Sequence, residues 1–425
     1  MSKQKDLKEY TAEIAQCVKC GACQAHCPVF AEKKRESVVA RGKVALASAL
    51  LDKDVEVDER FVADMSQCLL CGSCFDKCPN LVPTDEIVMA ARREIAERQG
   101  LSTFGWAMTT ALKNPQLLKV AAKGGKIFEK LLFKKVPEKS GLRLRFPAPF
   151  IAPDRTLPEI AETPFRDRHP EFIPGDPDQP TVAFFTGCMI NFSYPQIGEA
   201  LLKILKFMGI NVFLPHDQGC CGLPALAAGD GNTVDQLGVA NRRALTRRPL
   251  DAIVTACASC HAGLGKHFAQ QGPIEKDLAA KVIDMNVFLV KNGLVEKLAA
   301  LPKKESRRPV TWHDPCHLRT HGITREPREL LKALPGVDFV EMANADRCCG
   351  LGGTFSVYHY DASKKIGARK APGIEESGAE LVATGCPGCM MQLQDTINHA
   401  GLPQRTIHLL ELVAADLPEA KAPPE

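Results

Sequence analysis

Residues 17–28 read CVKCGACQAHCP and residues 68–79 read CLLCGSCFDKCP. Both stretches follow the spacing C-x2-C-x2-C-x3-C-P. Two intervening residues form a tight loop, so the thiolates of one run can converge on a shared metal, and Gly21 and Gly72 permit close backbone approach. A proline follows each run and fixes φ where the chain turns away. The pattern therefore predicts metal sites within the first eighty residues.

The two runs resemble those of two-cluster bacterial ferredoxins, in which three cysteines of each run hold one [4Fe–4S] cubane and the fourth crosses to the other. The resemblance implies one cubane on Cys17, Cys20, Cys23 and Cys78, and a second on Cys27, Cys68, Cys71 and Cys74. Eight thiolates could instead form two zinc sites, but zinc does not require this spacing. Segment 36–52 looks helical, which is typical of the expanded variant of this domain in respiratory iron–sulfur subunits.

The other ten cysteines form an internal repeat. Cysteines 188, 220 and 221 recur 128 positions later, and cysteines 257 and 260 recur 129 positions later. Each unit opens on a strand-like run, has CCG in its middle and ends with a second apolar run into CxxC. Strand and helix patterns alternate, so each unit is predicted to be a small α/β domain. A duplication is the economical explanation, and a pseudo-twofold pairing of the halves follows as a conjecture.

The repeated pattern resembles the CCG domain, also called the cysteine-rich domain, of heterodisulfide reductases and of the glycolate oxidase iron–sulfur subunit. The order of motifs from residue 1 to about 412 is similar to that subunit as well. The resemblance implies five-cysteine sites that hold one or two further, non-cubane [4Fe–4S] clusters. The cluster ligands that the resemblance implies are Cys188, Cys220, Cys221, Cys257 and Cys260 at the first site, and Cys316, Cys348, Cys349, Cys386 and Cys389 at the second. A structural zinc site or a remnant of duplication in one unit is the alternative.

Four histidines lie near these cysteines in sequence. We expect them to hydrogen-bond around the sites rather than to bind metal, because histidines near such motifs more often do so. They are His216, His261, His313 and His317.

Composition narrows the class of protein. The chain has 425 residues, 18 cysteines and a net charge of +4, which does not argue for nucleic acid. The charged N-terminus is not a secretory signal, so thiols are expected to stay reduced and to serve metal or redox chemistry. No apolar run approaches the length needed to span a bilayer. No dinucleotide or Walker motif is found, so no flavin or NAD is expected on this chain.

The predicted fold is an α+β multidomain chain: a helical two-cluster ferredoxin domain followed by two tandem α/β CCG domains. The predicted domains are residues 1–100 (ferredoxin type), 101–180 (basic helical segment and Pro-rich linker), 181–305 (first CCG) and 306–415 (second CCG). The basic segment is a candidate surface for an anionic membrane or an acidic partner. Its lysines are Lys113, Lys119, Lys123, Lys126, Lys130, Lys134, Lys135 and Lys139, opposed there only by Glu129 and Glu138.

The resemblance implies a function as the iron–sulfur electron-transfer subunit of a glycolate or D-lactate oxidase or dehydrogenase. Such an oxidoreductase converts a 2-hydroxy acid to a 2-oxo acid on a separate FAD-containing subunit, and electrons pass on to a quinone or another carrier. The alternative function is that of a catalytic subunit of the heterodisulfide reductase type, which cleaves a disulfide at the CCG clusters. A third hypothesis is a scaffold or redox-sensing module. The expected location is the cytoplasm, with peripheral attachment to the inner face of the cytoplasmic membrane as an option.

Overall fold

The computed structural model describes residues 4–127, 129–136 and 141–418. Its N-terminal region is helical, and the helix expected within residues 36–52 is present there as α4. The helices are α1 (Thr11–Ala15), α2 (Ala22–His26), α3 (Pro28–Lys33), α4 (Ala40–Leu51), α5 (Glu59–Ser66), α6 (Ser73–Asp76) and α7 (Thr84–Gln99).

Helices α4 and α7 form the core of this region. Val44, Ala47 and Leu50 recur at helical spacing on α4 and are buried, as are Ile87 and Val88 on α7. The same apolar cluster continues into the first repeat unit through residues 225–227 and 234. The helical region therefore shares its core with the first unit instead of standing alone.

The basic segment is also helical. Its elements are α8 (Thr103–Lys113), α9 (Pro115–Ile127), α10 (Glu129–Leu132), and the antiparallel pair β1 (Phe133–Lys135) and β2 (Leu142–Leu144). Glu138 and Lys139, and the side chains of Lys123 and Lys130, lie outside the described residues. Among the side chains that are described, seven of the thirteen exposed large hydrophobic residues fall between Trp106 and Phe150, which marks this stretch as an apolar as well as a basic surface.

The last part of the Pro-rich stretch packs on the first repeat unit. Phe165 is fully buried, and its ring lies 5.8 Å from that of Phe184. A short strand, β3 (Phe172–Ile173), adds an antiparallel edge to the first sheet. These contacts anchor the stretch against the sheet.

The first repeat unit is a parallel sheet flanked by helices. Its central strands are apolar and buried on both faces, which is typical of parallel strands covered by helices. Its elements are β4 (Thr181–Phe184), α11 (Gly187–Phe192), α12 (Pro195–Phe207), β5 (Asn211–Phe213), α13 (Leu223–Ala228), α14 (Gly231–Leu245), β6 (Ala252–Thr255), α15 (Ala258–Ala262), α16 (Pro273–Ala280), β7 (Val282–Asp284), α17 (Met285–Lys291) and α18 (Leu294–Ala299).

The second unit repeats this architecture. Its elements are β8 (Arg308–Trp312), α19 (Cys316–Arg319), α20 (Arg325–Ala333), β9 (Val337–Phe339), α21 (Phe355–Tyr358), α22 (Tyr360–Ala368), α23 (Ala371–Glu376), β10 (Leu381–Thr384), α24 (Pro387–Ala400), β11 (Arg405–His408) and α25 (Leu409–Asp416). The strand orders are β5-β4-β6-β7 and β9-β8-β10-β11, with all pairs parallel. The α+β multidomain prediction is thereby confirmed, and the two halves share one topology.

The two units pack against each other in a crosswise manner. Helix α12, which follows the first strand of unit one, contacts α25 at the end of unit two. Helix α20, its counterpart in unit two, contacts α17 and α18 at the end of unit one. Each contact thus has an equivalent with the units exchanged, as a two-fold relation requires. One apolar core, with Leu201 and Leu330 both fully buried, spans the junction.

Arg92 joins the helical region to the first unit. It is buried, and its guanidinium donates hydrogen bonds to the carbonyls of Met65, Ser66 and Cys68 at 2.9–3.1 Å. A further N–H donates to the carbonyl of Ala227 on α13 at 3.0 Å. Buried carbonyls that lose such donors are costly.

Replacing Arg92 by methionine should therefore destabilise the fold. Four carbonyls lose a charged donor, and we expect a loss of about 3 kcal/mol in the free energy of unfolding. Urea unfolding of purified protein measures it. The matched control is Arg98→Met on the same helix, where one exposed ion pair is lost and the change should stay within about 0.5 kcal/mol. Equal urea midpoints for the two variants would contradict this account.

Candidate iron–sulfur sites

Two adjacent cavities lie between the cysteine runs of the helical region. The first is lined by Cys17, Cys20, Cys23 and Cys78, and the second by Cys27, Cys68, Cys71 and Cys74. Cys74 lines both cavities, so they lie side by side. The fold therefore brings the fourth cysteine of each run to the first three of the other run. This grouping is the one that the ferredoxin resemblance implies.

The two loops share one unusual backbone conformation. Lys19 and Leu70, at equivalent positions, have φ of 55° and 54°, and Gly21 and Gly72 also lie in the left-handed region. Residues other than glycine rarely adopt this region, and alternating backbone signs of this kind turn successive N–H groups to one side. In the second run the N–H of Leu70 lies 3.5 Å from the Cys68 sulfur. Four thiols with N–H donors around them form a donor set that fits a [4Fe–4S] cubane.

Buried charge distinguishes the second cavity. Lys43 is 1% exposed, lines this cavity, and burial lowers its pKa to about 8. Burial raises the pKa of Cys27 to about 12, so this thiol keeps its proton until a metal displaces it. The guanidinium of Arg92 touches the same region through the Cys68 carbonyl. Sequence reasoning missed both cations, although a lysine within the apolar face of α4 was a visible signal.

The ten remaining cysteines gather at the carboxyl ends of the parallel strands. Cys188 and Cys257 follow β4 and β6, and Cys316 and Cys386 follow β8 and β10. The CC pairs lie in the loops after β5 and β9, and the last cysteine of each unit is on α15 or α24. The carboxyl edge is where open parallel sheets bind ligands. Topology alone therefore brings the five cysteines of each unit together.

The second cysteine of each CCG motif is the more easily ionised kind of thiol. A hydrogen bond with Cys220 holds the pKa of Cys221 well below its usual range, and Cys348 does the same for Cys349. The following glycine has φ of 88° in one unit and 96° in the other, a conformation that requires glycine there. Each unit thus brings together five sulfur donors, a chemistry suited to iron.

The cysteine sets form one continuous row through the molecule. Cys71 of the second cavity lies in one buried cluster with Cys348 of the second unit, and Cys386 of that unit lies in another with Cys257 of the first. Cys349 and Cys389 have their sulfurs 3.7 Å apart. In space the order is therefore first cavity, second cavity, second unit, first unit. The second CCG unit, not the first, adjoins the helical region's cysteines.

The ends of the row have different surroundings. Cys20 is exposed, whereas the other seventeen cysteines are buried or half-buried. Near it are two exposed hydrophobic residues, Val18 at 67% and Leu81 at 61%. At the opposite end Met108 and Leu112 of α8 pack against Cys188 and Cys220.

The four histidines take different positions. His317 lies between units, with Nδ1 3.3 Å from the Ser259 hydroxyl and Nε2 3.4 Å from the Leu70 carbonyl, as expected for a hydrogen-bonding neighbour. His261 is half-buried, its desolvation lowers its pKa to about 4, and its ring is 5.0 Å from that of His321. His216 is exposed. His313 is fully buried beside cysteines of the second unit.

The fold and its cysteine sets define an iron–sulfur protein with one dicluster region and two cysteine-rich units. A family model described as "4Fe-4S dicluster domain" matches residues 13–82, and one described as "Cysteine-rich domain" matches residues 182–265 and 310–394. The chain belongs to the family of glycolate oxidase iron–sulfur subunits. No helix among the described residues is long and apolar enough to cross a membrane.

One relative shows this placement, and a second relative and one solved structure are also similar to the chain. The chain is 30% identical to the "Probable glycolate oxidase iron-sulfur subunit" of Bacillus subtilis, over 94% of this chain and 93% of the relative. It is 25% identical to one of the subunits of the dihydromethanophenazine:CoB–CoM heterodisulfide reductase of Methanosarcina barkeri, over 92% and 91%. A hypothetical protein from Helicobacter pylori has a similar fold, with a TM-score of 0.50, 10% identity, and 98% and 76% coverage.

The crossing of the fourth cysteines gives a direct test. Cys78→Ala should remove the same cluster signal as Cys20→Ala, and Cys27→Ala the same signal as Cys71→Ala, because each pair lines one cavity. Each variant should lose about four irons per chain. Iron analysis and electron paramagnetic resonance of the reduced protein measure this. A Cys27→Ala spectrum that matches Cys20→Ala would contradict the crossed assignment.

Proposed function

We propose that this chain is the electron-transfer subunit of a glycolate or D-lactate oxidase or dehydrogenase. It receives electrons from a separate FAD-containing subunit that oxidises the 2-hydroxy acid, and it delivers them to a quinone or another carrier. The observation that carries the proposal is the row of neighbouring cysteine sets from the exposed Cys20 to the first CCG unit. Iron–sulfur clusters bound there supply reversible one-electron chemistry, and four of them correspond to about sixteen irons per chain.

The proposed ligands are the eight cysteines of the two cavities and the five cysteines of each unit. Lys43 and Arg92 serve the second cavity by placing buried positive charge beside it, which favours the reduced, more negative state of a cluster. The loops around Lys19 and Leu70 supply backbone N–H donors.

One observation favours the alternative hypothesis of a heterodisulfide reductase, because both CCG units have all five cysteines. The burial of the CCG cysteines favours the electron-transfer hypothesis. The sulfurs that meet between the units, on Cys257 and Cys386, belong to residues only 6% and 3% exposed. A disulfide substrate has to reach such sulfurs, whereas electrons do not require open access.

The exposed end of the row is the proposed docking surface for the flavoprotein. Val18 lines the first cavity and Leu81 lies two residues beyond Pro79, another lining residue. Both are apolar and largely exposed, as expected for residues at the centre of a protein interface.

Val18→Glu with Leu81→Glu should weaken the complex at least tenfold, because two charges would be buried in an apolar contact. The flavoprotein partner is first identified by co-purification, and titration then measures its affinity. The matched control is Val239→Glu with Ile274→Glu, two residues of similar exposure on the first CCG unit. With hydroxy acid present, the wild-type chain should be reduced only when the flavoprotein is added. Reduction without the flavoprotein, or equal weakening by both double variants, would count against the proposal.

A cavity of about 430 Å³ at the junction of the three regions is the proposed acceptor pocket. Its lining is largely apolar, and Arg92, Ser66 and Tyr358 contribute polar groups. That size and mixture suit a planar lipophilic ligand with a few hydrogen-bond acceptors, such as a quinone ring. Helix α8 begins beside it and carries the exposed Trp106, so the pocket adjoins the apolar and basic surface described above.

Ala96→Trp should fill this pocket, because Ala96 lines it. We expect at least a tenfold loss in the rate at which a soluble naphthoquinone reoxidises the reduced protein. Reoxidation by ferricyanide, which needs no pocket, should be unchanged. Arg98→Trp, two residues along α7 and outside the lining, is the control. Wild-type quinone kinetics in Ala96→Trp would exclude this pocket as the acceptor site.

A further inference from the structure

The two CCG units differ at one position beside their cysteines. Their opening runs align as TVAFFTGC (181–188) and PVTWHDPC (309–316), so that Phe185 corresponds to His313. Phe185 is fully buried in the same apolar cluster as Cys257 and Cys260 of the first unit. The second unit has an imidazole where the first has a phenyl ring.

His313 is buried without ordinary hydrogen bonds. It is 0% exposed, and neither ring nitrogen has a hydrogen-bond partner of normal geometry among the residues that the structure describes. An unpaired polar group of this kind is expensive to bury. An apolar residue fits this position in the first unit, so packing alone does not account for the histidine.

The imidazole points at the cysteines of its unit. A ring nitrogen of His313 and the sulfurs of Cys349 and Cys389 all lie within 4.8 Å of one another. The Ala345 carbonyl lies near the ring, outside normal hydrogen-bond geometry. Histidines that bind metal through one nitrogen commonly direct the other N–H to a backbone carbonyl, so the surroundings suit a ligand.

We propose that His313 binds iron at the second CCG site through one imidazole nitrogen. The proposal rests on the proposed function, because it presumes an iron–sulfur cluster held by that unit's cysteines. The second site then has a nitrogen donor that the first lacks, although each unit has five cysteines in the same order. This neutral donor is added to the thiolates, so it changes the electron density at one iron and makes the reduction potentials of the two CCG sites differ.

The test is magnetic resonance of the full-length, iron-loaded chain. Electron–nuclear double resonance of the wild type should show one strongly coupled nitrogen, and labelling histidine with ¹⁵N should change that coupling. His313→Phe, which copies the first unit, should lose the coupling and shift the reduction potential of the second CCG site. His261→Phe, a half-buried histidine next to Cys260 of the first unit, is the matched control and should retain both.

The outcomes separate the two proposals. Suppose that the wild type contains about sixteen irons per chain but shows no coupling to a histidine nitrogen. That result contradicts the role of His313, and it is still consistent with the electron-transfer function. A coupling that persists in His313→Phe overturns the role of His313 as well. Iron content near eight means that the CCG units hold no cluster, which overturns the cofactor part of the proposed function and this proposal with it. Because the ¹⁵N experiment uses the wild type, a poorly folding variant does not block the test.

Discussion

The contact between the second cysteine run and the second CCG unit determines how the rest of the molecule is arranged. There Cys71 and Cys348 pack in one cluster, and Arg319 of α19 pairs with Asp76 of α6 at 2.7 Å. Once the helical region is held at this point, its remaining surface falls against the first unit, where Arg92 and α13 complete the packing. Four sets of sulfur atoms then form one line, and no set is isolated from its neighbours.

Much of this arrangement can be predicted from the sequence. The spacing of the cysteine runs predicts the two groups of four, and the 128-residue repeat predicts two α/β units. The sequence does not predict which CCG unit adjoins the cysteines of the helical region. Chain order favours the first unit, but the chain between residues 100 and 180 is long enough to reach around it. The choice depends on side chains far apart in sequence, such as Arg319 and Asp76, that carry no motif.

The environment of the sites is also hidden from sequence reasoning. Lys43 lies among the buried residues of α4, and its burial becomes evident only when that helix is placed beside the cavity. The sequence gives the positions of the four histidines but not their surroundings. Burial and orientation, which distinguish His313 from the exposed His216, become known only from the structure. Repetition of a motif preserves ligand spacing more faithfully than it preserves surroundings, as the exchange of Phe185 for His313 illustrates.

The crosswise packing of the two units has a consequence for their origin. Helices α12 and α20 each bury an apolar face against the other unit, and residues such as Leu201 and Leu330 share one core. A protein with a single unit would leave that face open to water, at a cost of roughly 25 cal/mol for each Å² of apolar surface. Two identical copies would cover it by the same pair of contacts. The present chain thus has the geometry of a homodimer whose subunits were fused, after which each half was free to acquire its own residues.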